Sequence, residues 1–166
     1  NHRNPSGRVH AGDQKIVITH SDDDGMTWSD AQSIPMGEWL PEGFNWMLTG
    51  PGHGIQLRQG QHKGRLIVPC YGEGSGYVVY SDDHGKTWTV GAASPSGPYN
   101  EATCVELLGG DVMLNMRSPG GRGERKPNRG SAVLTRGGSE FKDGTSRFIS
   151  DLPCTSCQGG TTRFND

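Results

Sequence analysis

One eight-residue pattern occurs twice and limits what this chain can become. Ser21-Asp22-Asp23-Asp24-Gly25-Met26-Thr27-Trp28 returns as Ser81-Asp82-Asp83-His84-Gly85-Lys86-Thr87-Trp88, 60 residues further on. Both copies follow a short apolar run and both read S-x-D-x-G-x-T-W. A fixed internal period marks stacked supersecondary units, and this one suits a propeller blade with insertions. Thr135-Arg136-Gly137-Gly138-Ser139-Glu140-Phe141 is a shortened third copy, without the aspartate and with Phe141 where the tryptophan would stand. The pattern is expected to fold as a turn. The aspartate bonds backbone N–H groups of its own loop, and the glycine takes a positive φ. The tryptophan is expected to return and pack between neighbouring sheets. This local chemistry already accounts for the aspartates without a metal or catalytic role.

The stretches around the repeats are short β-type runs. They are Lys15–His20, Arg65–Cys70, Gly76–Tyr80, Thr103–Leu108, Val112–Arg117 and Ser131–Thr135, each bounded by Gly, Asp, Asn, Pro or Ser. No window carries a 3.6-residue apolar period over three turns, so helix content should be low. The 27 glycines and 10 prolines suit many strands joined by tight turns. The expected class is therefore all-β.

Charge is nearly balanced, with a formal net of -2, which gives no reason to expect nucleic acid or a membrane surface as partner. No apolar run is long enough for a transmembrane helix. No basic-then-apolar leader is visible, and the chain opens on Asn1 without an initiator methionine and stops at what reads as a strand start, as a fragment would. Among the four cysteines, Cys70 and Cys104 lie in apolar strands and are expected as small core residues. Cys154 and Cys157 form a lone CxxC, a weak zinc signal without a second pair and a weak redox signal without a βαβ context. No metal and no cofactor is expected.

The S-x-D-x-G-x-T-W pattern is the Asp-box, which resembles the repeats of sialidases but also occurs in other propellers, so alone it supports a fold and not an activity. The intervening stretches are more specific. Gly50-Pro51-Gly52-His53-Gly54-Ile55-Gln56-Leu57 followed by Gly64-Arg65-Leu66-Ile67-Val68-Pro69-Cys70 resembles the sialidase GPGxGIQL…GRLxxPC. Asn100-Glu101, then Val105-Glu106-Leu107 and Leu114-Asn115-Met116-Arg117, resembles the family's NExxxVEL…LNMR. Cys157-Gln158-Gly159 is similar to its CQG strand. The resemblance runs from about Ile16 to Arg163 and identifies the chain as similar to the exo-α-sialidases.

The resemblance implies a six-bladed propeller, of which residues 1–166 would supply about two to three middle blades of the catalytic domain. It implies hydrolysis of terminal α-linked sialic acids on oligosaccharides, glycoproteins or glycolipids. The sialylated glycan would be the partner. Sialic acid bears a carboxylate, and the planar fork of arginine grips a carboxylate through two hydrogen bonds. Arg117 matches one of the family's three carboxylate-binding arginines. Sialidases depart from other retaining glycosidases in using a tyrosine nucleophile. A phenol with a pKa near 10 needs a base, and Glu101 matches the family's general-base glutamate. Trp46, with Leu48, is expected near the sugar-binding face, and Tyr71 near the glycerol or N-acyl side; blade packing is the competing role for both aromatics. His53 is expected to bond within its own glycine-rich turn.

The nucleophile, the first-blade arginine with its aspartate, and the third arginine have no matching position. Arg8 and Asp13 resemble that first-blade pair, but the GPGHG stretch follows too soon, and Asp13 is expected in a turn before a second-blade strand. Ala102-Thr103 stands where many relatives read Cys-Gln after the Asn-Glu pair. Residues 119–129 form a basic, glycine-rich stretch expected as a hairpin loop. The 166-residue chain alone is expected to be inactive. Two rival functions are a non-catalytic propeller that binds glycans or proteins, and a glycosidase for another sugar. The family spans lysosomal, cytosolic, membrane-associated and secreted members, so compartment is left open.

Overall fold

The computed structural model describes residues 15–95, 97, 99–118, 128–154 and 157–164. Arg8, Asp13 and residues 119–127 lie outside them. Three antiparallel sheets pack face to face. The first pairs β1 (Lys15–Ile18) with β2 (Gln32–Pro35). The second holds β3 (Leu48–Thr49), β4 (Ile55–Gln56), β5 (Leu66–Gly72), β6 (Ser75–Ser81) and β7 (Thr89–Ala93), in the order β3-β5-β6-β7, with β4 also on β5. The third holds β8 (Ala102–Glu106), β9 (Val112–Met116), β10 (Asn128–Thr135), β11 (Glu140–Phe141) and β12 (Arg147–Pro153), in the order β8-β9-β10-β11, with β12 also on β10. The described helical content is two three-residue 3-10 turns at Met36–Glu38 and Arg136–Gly138.

The second sheet is apolar on both faces because it is sandwiched. A pleated strand sends alternate side chains to opposite faces. Cys70, Tyr77 and Val79 face the first sheet, where Met36, Trp39 and Met47 fill one core with Ile16, Ile18 and Ile34. Ile67 and Val78 face the third sheet and join Leu114, Met116, Ala132 and Leu134 in a second core. Continuous runs such as Gly76-Tyr77-Val78-Val79-Tyr80 follow from this double burial. Face-to-face stacking of short antiparallel sheets is the arrangement of consecutive propeller blades, so the all-β, partial-propeller expectation holds.

Both Asp-boxes form the expected turn with closely matching geometry. Asp23 Oδ1 accepts Thr27 N–H at 2.8 Å and Oδ2 accepts the Thr27 hydroxyl at 2.6 Å. Asp83 does the same with Thr87 at 2.9 and 2.7 Å. Gly25 and Gly85 both sit at φ 86. These hydrogen bonds, the Thr27 and Thr87 hydroxyls first, hold Asp23 and Asp83 down to a pKa of about 2. The tryptophans divide. Trp88 packs against Trp39 with ring centroids 5.3 Å apart. Trp28, expected between sheets, is instead 63% exposed. Its box caps the two-stranded first sheet, and among the described residues no further sheet lies against that side.

The third copy keeps the position but not the turn. Arg136, Gly137 and Gly138 take φ 50, 61 and 94, a left-handed run in place of the aspartate-bonded loop, and Phe141 packs against the second core. Residues 157–164 form no strand, contrary to the reading of Cys157-Gln158-Gly159. The backbone there is held by side chains instead. Thr161 Oγ1 donates to Cys104 O at 3.2 Å and meets Thr103 Oγ1 at 3.3 Å. Cys70 and Cys104 are fully buried, and burial pushes both thiols up, Cys104 to about 12, which fits inert core residues.

Candidate functional site

The edges of the second and third sheets bring four sequence-selected residues to one place. Glu101 directly precedes β8, and Arg117 directly follows β9. The ladder continues past both strands: Arg117 N–H donates to Glu101 O at 2.9 Å, and Asn100 N–H donates to Arg117 O at 2.9 Å. Asn100 also accepts Glu101 N–H on its side-chain oxygen at 2.9 Å, which fixes the entry to the strand. With both backbones locked, the side chains meet. Arg117 Nη1 donates to Glu101 Oε2 at 2.9 Å, each side chain 24% exposed.

Tyr71 enters from the second sheet. It lies on the Ile67 face of β5, toward the third sheet, and is only 8% exposed. Its phenol is pushed above its usual range, first by burial and then by the negative charge of Glu101, with Arg117 pulling the other way. Burial, the largest cause, favours the neutral phenol, a hydrogen-bonding group and not a phenoxide. Leu48 pairs with Tyr71 across β3 and β5, and the Trp46 ring meets the Tyr71 ring edge-on at 6.1 Å. Trp46, Tyr71, Glu101 and Arg117 thus form one wall, apolar at Trp46 and charged at Arg117.

Arg117 Nε and Ser118 Oγ are buried without a hydrogen-bond partner among the described residues. Buried unpaired donors cost free energy and call for an acceptor. An arginine that gives one nitrogen to Glu101 and keeps Nε unmet is half-engaged.

A cleft of about 320 Å³ opens at the far end of β8, where His53, Gln56, Arg58, Glu106, Thr161 and Arg163 line it. Five residue steps separate Glu101 from Glu106, which amounts to roughly 16 Å at about 3.3 Å each. Glu106 is not a free acid: its carboxylate accepts Arg58 N–H at 3.1 and 2.9 Å and Gln59 N–H at 2.9 Å. It ties the turn after β4 to the next sheet. His53 is exposed at the rim of this cleft, away from Glu101.

Sequence reasoning did not single out two buried arginines. Arg65 donates from Nε and Nη2 to Asp82 at 2.8 Å each, stacks 3.9 Å over Tyr80, and donates from Nη1 to Arg136 O and Gly137 O. It ties the second Asp-box to the degenerate third. Arg129 bonds Asn115 and donates to Cys157 O at 2.9 Å. Their partners lie up to 72 residues away, so no local pattern marks them. Cys154 is buried with its thiol 3.9 Å from Cys157 O, and no group of three potential metal ligands occurs among the described residues.

Comparison with known proteins gives this wall a context. The BNR repeat-like domain model matches residues 3–146. A sialidase of Micromonospora viridifaciens is 38% identical over 141 residues, covering 82% of this chain and 21% of its own length. An exo-alpha-sialidase of Aspergillus fumigatus is 31% identical, covering 93% of this chain and 34% of its own. In structure, the intramolecular trans-sialidase of Ruminococcus gnavus, solved with oseltamivir carboxylate, superposes with a TM-score of 0.68 at 30% identity, over 84% of this chain and 27% of that one. The chain therefore spans between a fifth and about a third of the length of these relatives. Its paired Asp-boxes, its stacked antiparallel sheets and these matches agree: the chain belongs to the BNR repeat-like domain family, as a sialidase-like member.

Proposed function

We propose that residues 1–166 are part of the catalytic domain of an exo-α-sialidase, and that the Glu101–Arg117 wall is part of its active site. The observation that carries this is the 2.9 Å pair between Arg117 Nη1 and Glu101 Oε2.

The chemistry follows from the groups. The substrate carboxylate binds the Arg117 guanidinium on the side not taken by Glu101. Glu101, paired with Arg117, is placed to take a proton from a tyrosine hydroxyl as it attacks the anomeric carbon and the aglycone departs with a proton from an acid elsewhere in the propeller. That tyrosine comes from the remainder of the propeller. Tyr71 is not assigned that role, because it is only 8% exposed and its ring is packed against Trp46. A neutral nucleophile suits an anionic sugar, since a carboxylate nucleophile would meet the substrate's own charge. Trp46 and Tyr71 offer an apolar and hydrogen-bonding surface to the glycerol or N-acyl arm. Sialylated oligosaccharides, glycoproteins and glycolipids are the substrates this pocket would take.

A double displacement through tyrosine retains configuration. A proton NMR time course of the full-length protein with α2,3-sialyllactose should therefore show α-sialic acid first and the β-anomer only after mutarotation. First appearance of the β-anomer would contradict the mechanism. Binding without any release would make the protein a lectin-like propeller.

A further inference from the structure

We propose that Glu73 is a positioning residue whose carboxylate holds the segment before Trp46, and so sets the Trp46–Tyr71 wall of the pocket. The kinetic part of this proposal rests on the sialidase reading above; the structural part does not.

The hairpin between β5 and β6 turns through Glu73 and Gly74, with φ of 46 and 80. A two-residue hairpin with both residues left-handed favours asparagine or glycine at its first position. Glutamate there is strained by its Cβ. In this strained place the side chain reaches across 28 residues of sequence, and Glu73 Oε1 accepts the Asn45 N–H at 3.3 Å. The neighbouring Gly72 closes on the same segment. A Cβ at Gly72 would stand 2.4 Å from Trp46 O, so the backbones pack without room for a side chain. Trp46 is thereby gripped at its own carbonyl and at the residue before it, and its ring meets Tyr71 edge-on.

The same turn reaches the chain that leads into the third sheet. Gly74 O accepts Gly97 N–H at 3.1 Å and Tyr99 N–H at 3.3 Å, directly ahead of Asn100-Glu101. One hairpin tip therefore joins the aromatic wall to the strand that carries the carboxylate. A strained side chain spent on a contact across the pocket edge is the form in which backbone strain serves a site.

The test compares Glu73→Gly with Glu73→Gln in the full-length protein. Glycine relieves the strained φ and removes the acceptor; glutamine keeps an acceptor oxygen and removes the charge. Three readouts are needed: amide exchange at Asn45 by NMR, Tm, and kcat and KM on 4-methylumbelliferyl sialoside. The expected result for Glu73→Gly is faster Asn45 exchange, an unchanged or raised Tm, and KM raised at least about three-fold with kcat less affected. Glu73→Gln should stay close to wild type in all three. Unchanged Asn45 exchange in Glu73→Gly overturns the tether. Faster exchange with wild-type KM overturns the positioning role. Glu73→Gln as impaired as Glu73→Gly overturns the acceptor as the cause. A wild type that neither binds nor cleaves the sialoside refutes the sialidase reading, while the exchange data still decide the tether.

Discussion

Glu101 and Arg117 are joined twice, by a backbone hydrogen bond from Arg117 N–H to Glu101 O and by a side-chain pair from Nη1 to Oε2, both at 2.9 Å. The backbone link fixes the two main chains at the end of the ladder between β8 and β9, and the side-chain pair then holds the carboxylate against the guanidinium. If the proposed roles hold, a base and a carboxylate-binding cation are already paired before any substrate arrives, which favours transition-state stabilisation without reorganisation. At 24% exposure each, the pair is also too accessible for a purely structural salt bridge of the buried kind.

Tyr71 is expected to act in binding and not in proton transfer. Tyr71→Phe should raise KM several-fold, about what one lost hydrogen bond produces, and leave the limbs of the pH–rate profile where they are. Steady-state kinetics across pH measure both quantities. A displaced limb would make Tyr71 a titrating participant.

Gly50 should be the least replaceable residue of the GPGHG stretch. A Cβ there would stand 1.9 Å from Ala102 O and 3.2 Å from Pro69 O, both backbone. Ala102 follows Glu101, so the clash falls at the start of β8. Gly50→Ala should cost about 3 kcal/mol of stability, through forced backbone displacement. Denaturant unfolding measures it.

Arg65 should matter more than its partner. Arg65→Ala removes a bidentate pair, a ring contact and two carbonyl contacts from a residue only 6% exposed, and should cost about 2 kcal/mol or more. Asp82→Asn leaves the stack on Tyr80 and one acceptor in place. Because the Asp82 side chain is 60% exposed, its loss should cost about 0.5–1 kcal/mol. Thermal melts of the two variants give the order, and a larger loss for Asp82→Asn would reverse the assignment.

The Asp-boxes make acid stability predictable in sign. Asp83 titrates at about 2 when folded against an ordinary 3.8, because Thr87 and Ser81 donate to the ionised form. A depressed folded pKa gives stabilisation that is complete above 3.8 and lost as pH falls toward 2. Urea unfolding of the wild type should weaken through that window. Asp83→Asn should be less stable at neutral pH and lose less between pH 4 and 2. An equal acid slope in both proteins would show that the box carboxylate does not carry the effect.

The sequence made β1, β5, β6, β8, β9, β10 and both box turns legible because their causes are local, whereas the seven-residue β12 carries no such run and went unread. Short apolar runs bounded by turn residues declare β5, β6, β8, β9 and β10, and Asp83 and Thr87 lie four residues apart. The two-residue strands β3 and β4 were illegible for the opposite reason. Leu48-Thr49 and Ile55-Gln56 are too short for a period and become strands only because β5 lies beside them. Trp28 shows the limit of reasoning by repeat: an identical motif does not guarantee an identical neighbour, since burial depends on the sheet that packs against it. At the site, resemblance of motif pointed to Glu101 and Arg117 singly, whereas their hydrogen bond depends on the β8–β9 register, Ala102 opposite Met116. Glu106, Arg65 and Arg129 escaped notice because charged residues are ordinarily solvated, and only partners distant in sequence explain their burial.

The most direct test of the central claim uses the full-length protein on a fluorogenic sialoside, comparing wild type with Glu101→Gln and Arg117→Ala. The account predicts cleavage by the wild type and a fall in kcat of about 100-fold or more for Glu101→Gln, as for loss of a general base. It predicts for Arg117→Ala a similar loss in kcat/KM, with binding of a sialic-acid analogue weakened as well. Wild-type cleavage that survives either substitution nearly intact would contradict it.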